Sequence, residues 1–236
     1  MAVFFTHIPK TGGTSIQVSL LEENTGEEDR RRYRGYWDLL RDRSSFECLV
    51  GHHPHGIHRL SSEPNDPVYF TMLRDPLERV VSFYYECLWP RHFEKVSQHP
   101  EHARAWRADL VDFCRIPKFR NVQTKMLAGV LPEYVGRYIS LEGPGIRKSV
   151  LSAAKKHLED EYAAFGVTER FSESLDMITN VLGWEAAPLG QKKAAYPDRP
   201  TVDDLAREQV DELRTLNALD VELYSFASDL FDRTMS

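Results

Sequence analysis

The chain has 236 residues, of which 42% are hydrophobic and 28% charged, with a formal net charge of −6. That is enough for one sizeable globular domain, expected over residues 1–236, and its acidic balance excludes a surface that binds nucleic acid or another polyanion as a whole. Three cysteines, Cys48, Cys87 and Cys114, are odd in number and widely spaced, so neither a disulfide framework nor a zinc pattern is expected and a reducing compartment is the default.

The first apolar run, Val3-Phe4-Phe5, lacks the basic flank and small-residue cleavage site of a signal peptide and reads as a core strand. It leads into His7-Ile8-Pro9-Lys10-Thr11-Gly12-Gly13-Thr14-Ser15 and then the apolar-periodic Ile16-Gln17-Val18-Ser19-Leu20-Leu21. The order is strand, glycine-rich turn, helix. Glycines let backbone approach a ligand, free N–H groups at the helix start point at it, and the helix dipole favours negative charge. Lys10 adds a point charge. A phosphate or sulfate ester is the expected ligand. A Walker A loop is excluded, because its lysine stands directly before the Ser/Thr and Lys10 precedes the glycines.

Residues 22–43 carry dense charge of both signs, with Glu27-Glu28-Asp29 against Arg30-Arg31-Arg32. This reads as a solvated surface segment, the competing reading being a docking patch for an anionic acceptor. A second strand, Phe46 to Val50, ends at Gly51-His52-His53-Pro54-His55, with His58 beyond. Pro54 prevents a helical pair of ligands, and no carboxylate or thiol stands nearby at ligand spacing, so no metal is expected. A histidine at a strand end suits a general base.

Val68 to Leu73 is a third strand, ending at Arg74-Asp75-Pro76. Asp75 fits an N-cap, Pro76 position N1 and Glu78 the third residue of a capping box, ahead of a helix over Leu77–Leu88. Ser82 lies two turns along the same face as Asp75, so Arg74 and Ser82 could grip one phosphate. Residues 89–114 are polar and expected to be mostly helical after Pro100. A helix is expected around Arg120–Leu127, another over Val150–Leu158, a fourth strand at Phe165–Thr168 and a helix from Glu169 to Leu182. An irregular stretch over 184–200 contains Gln191-Lys192-Lys193. Thr201 caps a helix running to about Leu216, and a last amphipathic helix starts near Asp220. The expected fold is α/β, a short parallel sheet with helices on both faces. Parallel neighbours would put the Lys10 loop, His52 and Arg74 on one sheet edge, where such folds bind ligands.

Four of these segments carry a resemblance. Pro9-Lys10-Thr11-Gly12-Gly13-Thr14-Ser15 resembles the 5′-phosphosulfate loop of sulfotransferases that use 3′-phosphoadenosine 5′-phosphosulfate (PAPS), closest in style to the carbohydrate group that includes the heparan sulfate and uronyl 2-O- and 6-O-sulfotransferases. Gly51-His52 resembles the 2-O-sulfotransferase pattern, in which the histidine is the proposed base. His55 is the reserve candidate, because the register through 52–55 is open. Arg74-Asp75-Pro76-Leu77-Glu78-Arg79-Val80-Val81-Ser82 resembles the 3′-phosphate motif. Asn121-Val122-Gln123-Thr124 also resembles a glycan-sulfotransferase segment, with supporting and ligand-binding roles equally open.

The resemblance implies a P-loop-like fold and transfer of a sulfuryl group from PAPS to an acceptor hydroxyl, leaving adenosine 3′,5′-bisphosphate. In that reading Lys10 and His52 are catalytic. Lys10, Thr11, Gly12, Gly13, Thr14, Ser15, Arg74 and Ser82 bind the nucleotide, and Lys192 and Lys193 approach it on a closing loop. Arg91, His92 and Arg104 border the acceptor cleft, and no metal is needed. The acceptor would be a glycan or a small hydroxylated metabolite. Golgi members carry a membrane anchor before the catalytic domain. With no apolar run long enough to span a membrane, this chain is expected to be a cytoplasmic protein, the alternative being a trimmed catalytic portion of an anchored one. Two rivals remain, an ATP-dependent P-loop phosphotransferase and a non-catalytic 3′-phosphonucleotide-binding relative.

Overall fold

Strand β1 (Val3–Thr6) is the middle of a five-stranded, all-parallel sheet in the order β2-β3-β1-β4-β5, whose other members are β2 (Arg30–Arg32), β3 (Cys48–Gly51), β4 (Val68–Leu73) and β5 (Tyr162–Val167). The computed structural model describes residues 2–63, 65–88, 107–130, 143–188 and 199–235. Val3 aligns with Cys48 on one side and Val68 on the other. The chain goes from β1 to the β2–β3 side and returns to β4 and β5 on the opposite side. The order therefore reverses at β1, and ligands of open α/β sheets sit outside the carboxyl ends of strands at such a reversal.

Side chains alternate across the sheet with the strand period of two. Val3 and Phe5 of β1, with Phe70 and Met72 of β4, pack against Ile16, Leu20 and Leu21 and against Leu175 and Ile178. That layer holds one helical stretch over 13–24, made of α1 (Gly13–Ile16), a π-helical segment (Gln17–Leu21) and α2 (Glu22–Asn24), and later α8 (Phe171–Leu182). Phe4, Tyr69, Leu73, Tyr162 and Phe165 face the other layer. It is built from α3 (Tyr36–Arg41), α6 (Val122–Leu127), α7 (Pro144–Asp160) and α10 (Ala218–Met235). A third cluster joins α4 (Pro76–Leu88), α5 (Leu110–Arg115) and α9 (Arg207–Leu216) around Phe113, Cys114 and Leu213. Helices thus cover both faces of the sheet, as the sequence predicts. The three cysteines are buried free thiols. Among the described residues no helix is long and apolar enough to cross a membrane.

Four sequence expectations are corrected. Residues 30–32 form an edge strand rather than a solvated segment. Arg31 is the reason this strand tolerates its charge: its guanidinium lies 3.6 Å from Asp38 and 3.4 Å from Asp42 and 5.9 Å from the Phe46 ring centroid. Charged residues on an edge strand also discourage pairing with another chain. The capping box at Asp75 forms only one half. The Asp75 carboxylate accepts from the amides of Leu77 and Glu78, but Glu78 turns to Arg74, Arg199 and the Val202 amide instead of the Asp75 amide. The helix beginning at Thr201 is broken. A 3₁₀ turn (Val202–Asp204), capped by Thr201, ends at Leu205, whose extended backbone separates it from α9. Finally, the first helix starts at Gly13, one turn before its apolar periodicity.

Candidate active site

The turn after β1 owes its shape to two left-handed residues. Gly12 sits at φ 82° as the N-cap of α1, and Lys10 adopts φ 71°, a region a side-chain-bearing residue enters at a penalty and typically at functional sites. Thr11 is fully buried, and its hydroxyl donates to the Ile8 carbonyl at 2.9 Å, closing the turn from below. Gly13, Thr14 and Ser15 open the helix, so their amides have no partner within it. Thr14 is exposed and Ser15 half-buried. Gly13 has no room for a side chain, since a Cβ there would stand 1.9 Å from Nε2 of His7.

His7 was not singled out by the sequence. Its ring stacks on Phe5 (5.5 Å between centroids, 7° between planes) and leans on His52 at 4.6 Å. Burial, then the nearby His52 and Lys10 charges, push its pKa down to about 3, so it stays neutral. Its carbonyl lies 2.6 Å from Nδ1 of His52. A carbonyl only accepts, so Nδ1 of His52 carries the proton and Nε2 is left with a free lone pair. Desolvation by the surrounding protein lowers the His52 pKa, opposed by the His7 bond and assisted by the Arg32 charge. His52 is therefore an exposed, neutral imidazole with one basic nitrogen, the state a general base needs near neutral pH.

His53 and His55 have other tasks. His53 is fully buried against Phe4 and Tyr33. His55 is buried on the sheet face, where Nε2 meets Glu161 at 3.1 Å. Of the two base candidates, only His52 stands beside the Lys10 loop.

Lys10 reaches Glu86 on α4 at 3.1 Å, so the glycine-rich turn is tied to the helix that carries Ser82 one turn earlier. The Lys10 carbonyl accepts from the Arg74 guanidinium at 3.3 Å. Arg74 also contacts Glu78 at 3.3 Å, and Glu78 meets Arg199 at 3.3 Å. Two guanidiniums share that carboxylate, with Glu169 4.0 Å from Arg74. Nε of Arg74 is buried without a hydrogen-bond partner, an orphaned donor that a bound anion would satisfy. Burial, then the Arg199 charge, lowers the Arg74 pKa. Ser82 is 7% exposed on the adjoining helix.

Arg74 is positioned from behind by Gln123. The Gln123 side chain accepts from the Arg74 amide at 3.0 Å and donates to its carbonyl at 2.9 Å. The rest of that segment is scaffold. Asn121 accepts from the amides of Leu219 and Asp220, and Thr124 donates to Asp220 at 2.7 Å. Arg79, inside the Arg74–Ser82 motif, is 1% exposed and faces Asp220 at 4.0 Å, so it is structural. Arg91, His92, Arg104, Lys192 and Lys193 lie outside the described residues. Gln123 takes the supporting one of the two roles its segment left open, while Glu86 and Arg199 join the site through contacts between distant segments that no local motif announces.

No protein-family model matches the chain. Among curated proteins it is similar to a heparin sulfate O-sulfotransferase of Drosophila melanogaster, with 28% identity over 116 residues, covering 49% of this chain and 32% of that protein. It is similar to heparan sulfate 2-O-sulfotransferase hst-2 of Caenorhabditis elegans, with 23% identity over 182 residues, 71% of this chain and 53% of the other. The mouse (Mus musculus) heparan-sulfate 6-O-sulfotransferase 3 aligns over 287 positions at 23% identity, covering 98% of this chain and 57% of the relative. The chain thus spans between a third and just over half of the length of these proteins. The glycine-rich turn, the histidine and the arginine motif gathered at the carboxyl ends of the strands belong to a chain similar, at low identity, to heparan sulfate O-sulfotransferases.

Proposed function

We propose that this protein is a PAPS-dependent sulfotransferase acting on a carbohydrate hydroxyl. PAPS supplies an activated sulfuryl group on a 5′-phosphate leaving group, marked by a 3′-phosphate that ATP lacks. The chemistry of the donor set fits such a dianionic ligand: two guanidiniums share Glu78, one buried guanidinium nitrogen makes no hydrogen bond, and the first amides of the helix at Gly13 have no partner within it.

The amides of residues 11–15 and the hydroxyls of Thr14 and Ser15 cradle the 5′-phosphate. Lys10 offsets the charge that grows on that phosphate as the sulfur–oxygen bond breaks, the kind of electrostatic stabilisation that is commonly the largest contribution to rate. Arg74 and Ser82 hold the 3′-phosphate and so distinguish PAPS from ATP. Nε2 of His52 takes the acceptor proton as the acceptor oxygen attacks, while the His7 carbonyl keeps the Nδ1 proton and steadies the imidazolium that forms. Arg32 of β2 lies close enough to His52 for its charge to act on the imidazole. A cleft of about 500 Å³ there is lined by Gln17, Glu22, Arg30 and Arg32 and gives an extended, polar acceptor room to approach.

The observation that carries the reading is the convergence of Lys10, Arg74 and His52 at the carboxyl ends of β1, β4 and β3. Transfer of labelled sulfate from PAPS to a panel of desulfated glycans and small sugars tests it. The wild type should label at least one acceptor. His52→Ala should lose turnover by about 100-fold or more with nucleotide affinity kept, the scale of general-base catalysis. Tight binding of adenosine 3′,5′-bisphosphate with no transfer to any acceptor would leave a non-catalytic relative instead.

A further inference from the structure

A second cluster of ligating side chains lies on the opposite edge of the sheet, and the transfer reaction does not use it. His55 from the β3–β4 connection, His157 near the end of α7 and Glu161 just before β5 offer one donor atom each, all within 4.8 Å of one another. Nε2 of His55 stands 3.1 Å from one Glu161 oxygen, and Nε2 of His157 stands 3.8 Å from the other. The two imidazoles stack, 4.1 Å between centroids and 28° between planes, with Tyr69 at 4.8 Å and Tyr162 at 5.5 Å backing His55.

We propose that His55, His157 and Glu161 form a binding site for a divalent metal ion of the zinc type.

The first argument is the tautomer of His157. Its Nδ1 lies 2.7 Å from the Leu127 carbonyl, so Nδ1 donates and Nε2 presents a bare lone pair toward Glu161. A backbone carbonyl on the far nitrogen is the usual support of a metal-bound imidazole. The second argument is His55. It is 6% exposed, its backbone is pinned by the Met126 carbonyl at 2.8 Å, and its Nδ1 is buried without a partner. In the metal-free chain Nε2 carries the ring proton and donates to Glu161; a metal ion takes the place of that proton, with the ring then protonated on Nδ1. A neutral imidazole is the form that binds metal.

Two imidazole nitrogens and a carboxylate oxygen suit zinc or cobalt, with a water completing four ligands. Ligands on one zinc lie at most about 4 Å apart, because each bond is about 2.0–2.1 Å. The cluster must therefore tighten slightly. Glu161 is exposed and His157 half-buried, so both can move while His55 stays fixed. Glu161 precedes the first residue of β5, whereas Lys10, His52 and Arg74 follow strand ends, so the ion would act as a clamp on the β3–β4 connection, α7 and β5. Sequence spacing could not show this site, because His55 and Glu161 are 106 residues apart.

The test uses the full chain freed of metal with a chelator. Zn²⁺ at a hundredfold excess over its Kd should raise the thermal midpoint by about 5–10 °C. Stoichiometric Co²⁺ should give the visible absorption of a tetrahedral nitrogen–oxygen site. His157→Gln and Glu161→Gln, both at accessible positions and so compatible with folding, should weaken binding by more than about tenfold. Both variants should keep binding adenosine 3′,5′-bisphosphate with wild-type affinity. Absence of a midpoint shift and of a cobalt spectrum would overturn the proposal. So would metal binding that survives undiminished in both variants, which would mark an adventitious surface ion.

Discussion

Replacing Gln123 by leucine removes the side-chain amide that holds the Arg74 backbone at both its N–H and its C=O, at 3.0 and 2.9 Å. Leucine is close to glutamine in volume, so the change deletes hydrogen bonds without opening a large cavity. Each bond contributes about 0.5–1.5 kcal/mol, and each group left without a partner adds a desolvation penalty of about 1–3 kcal/mol where water cannot reach it. Arg74 is partly exposed, so water recovers part of that penalty, and a net loss of about 2–3 kcal/mol is expected in urea unfolding at pH 7. The functional consequence is more specific. With its backbone unpinned, the guanidinium no longer keeps its place beside the Lys10 carbonyl. Affinity for adenosine 3′,5′-bisphosphate should fall by about 10- to 100-fold by titration calorimetry, while 5′-AMP, which lacks the 3′-phosphate, should change by less than about threefold. A stability loss under about 1 kcal/mol would show that these two bonds do not anchor the turn. Equal weakening of both nucleotides would show that Arg74 does not read the 3′-phosphate.

Gly13→Ala places a methyl group 1.9 Å from Nε2 of His7, whose ring is wedged between Phe5 and His52. It should destabilise by about 1–3 kcal/mol and abolish nucleotide binding; an alanine variant that binds normally would mean that the turn moves freely. Asp220→Ala strips the acceptor from the Gln123 and Thr124 amides and the Thr124 hydroxyl and leaves Arg79 without its buried counter-charge. A loss of about 3–5 kcal/mol in urea unfolding is expected, against under about 1 kcal/mol for Glu222→Ala, whose partner Lys155 is on the surface. Equal losses would contradict the burial argument. His53 is held neutral by burial down to about pH 4, whereas in the unfolded chain it takes up a proton below about 6.5. The unfolded state binds the extra proton, so stability should fall as pH drops from 6.5 toward 4, with a His53 share of about 3 kcal/mol that His53→Phe removes. An unchanged slope in that variant would refute it.

The glycine-rich turn was legible because its features are local. Gly12, Gly13 and the amides that follow act within one turn of chain, and the strand before them announces itself by Val3-Phe4-Phe5. The same holds for Arg74 after β4 and His52 after β3. What stayed hidden depends on contacts across the fold. The Lys10–Glu86 and Arg74–Gln123 contacts span 76 and 49 residues, and Arg199 reaches Arg74 only through Glu78. Strand β2 was hidden for a different reason: three consecutive arginines read as solvated surface until Asp38, Asp42 and Phe46 are seen to accommodate the middle one. Among the four histidines between 52 and 58, resemblance picked out His52 with His55 in reserve, but periodicity could not rank them. Burial separates them, leaving His52 exposed and placing His53, His55 and His58 against the aromatic face of the sheet.

The most direct test of the central claim is thermal unfolding of the wild type with adenosine 3′,5′-bisphosphate, beside ADP and ATP, in the absence of magnesium. A ligand that binds only the native state raises the midpoint by mass action. The account predicts a rise with the bisphosphate that ADP and ATP do not match, lost in Lys10→Ala and Arg74→Ala. No rise, or one confined to ATP, would contradict it and point to a phosphotransferase.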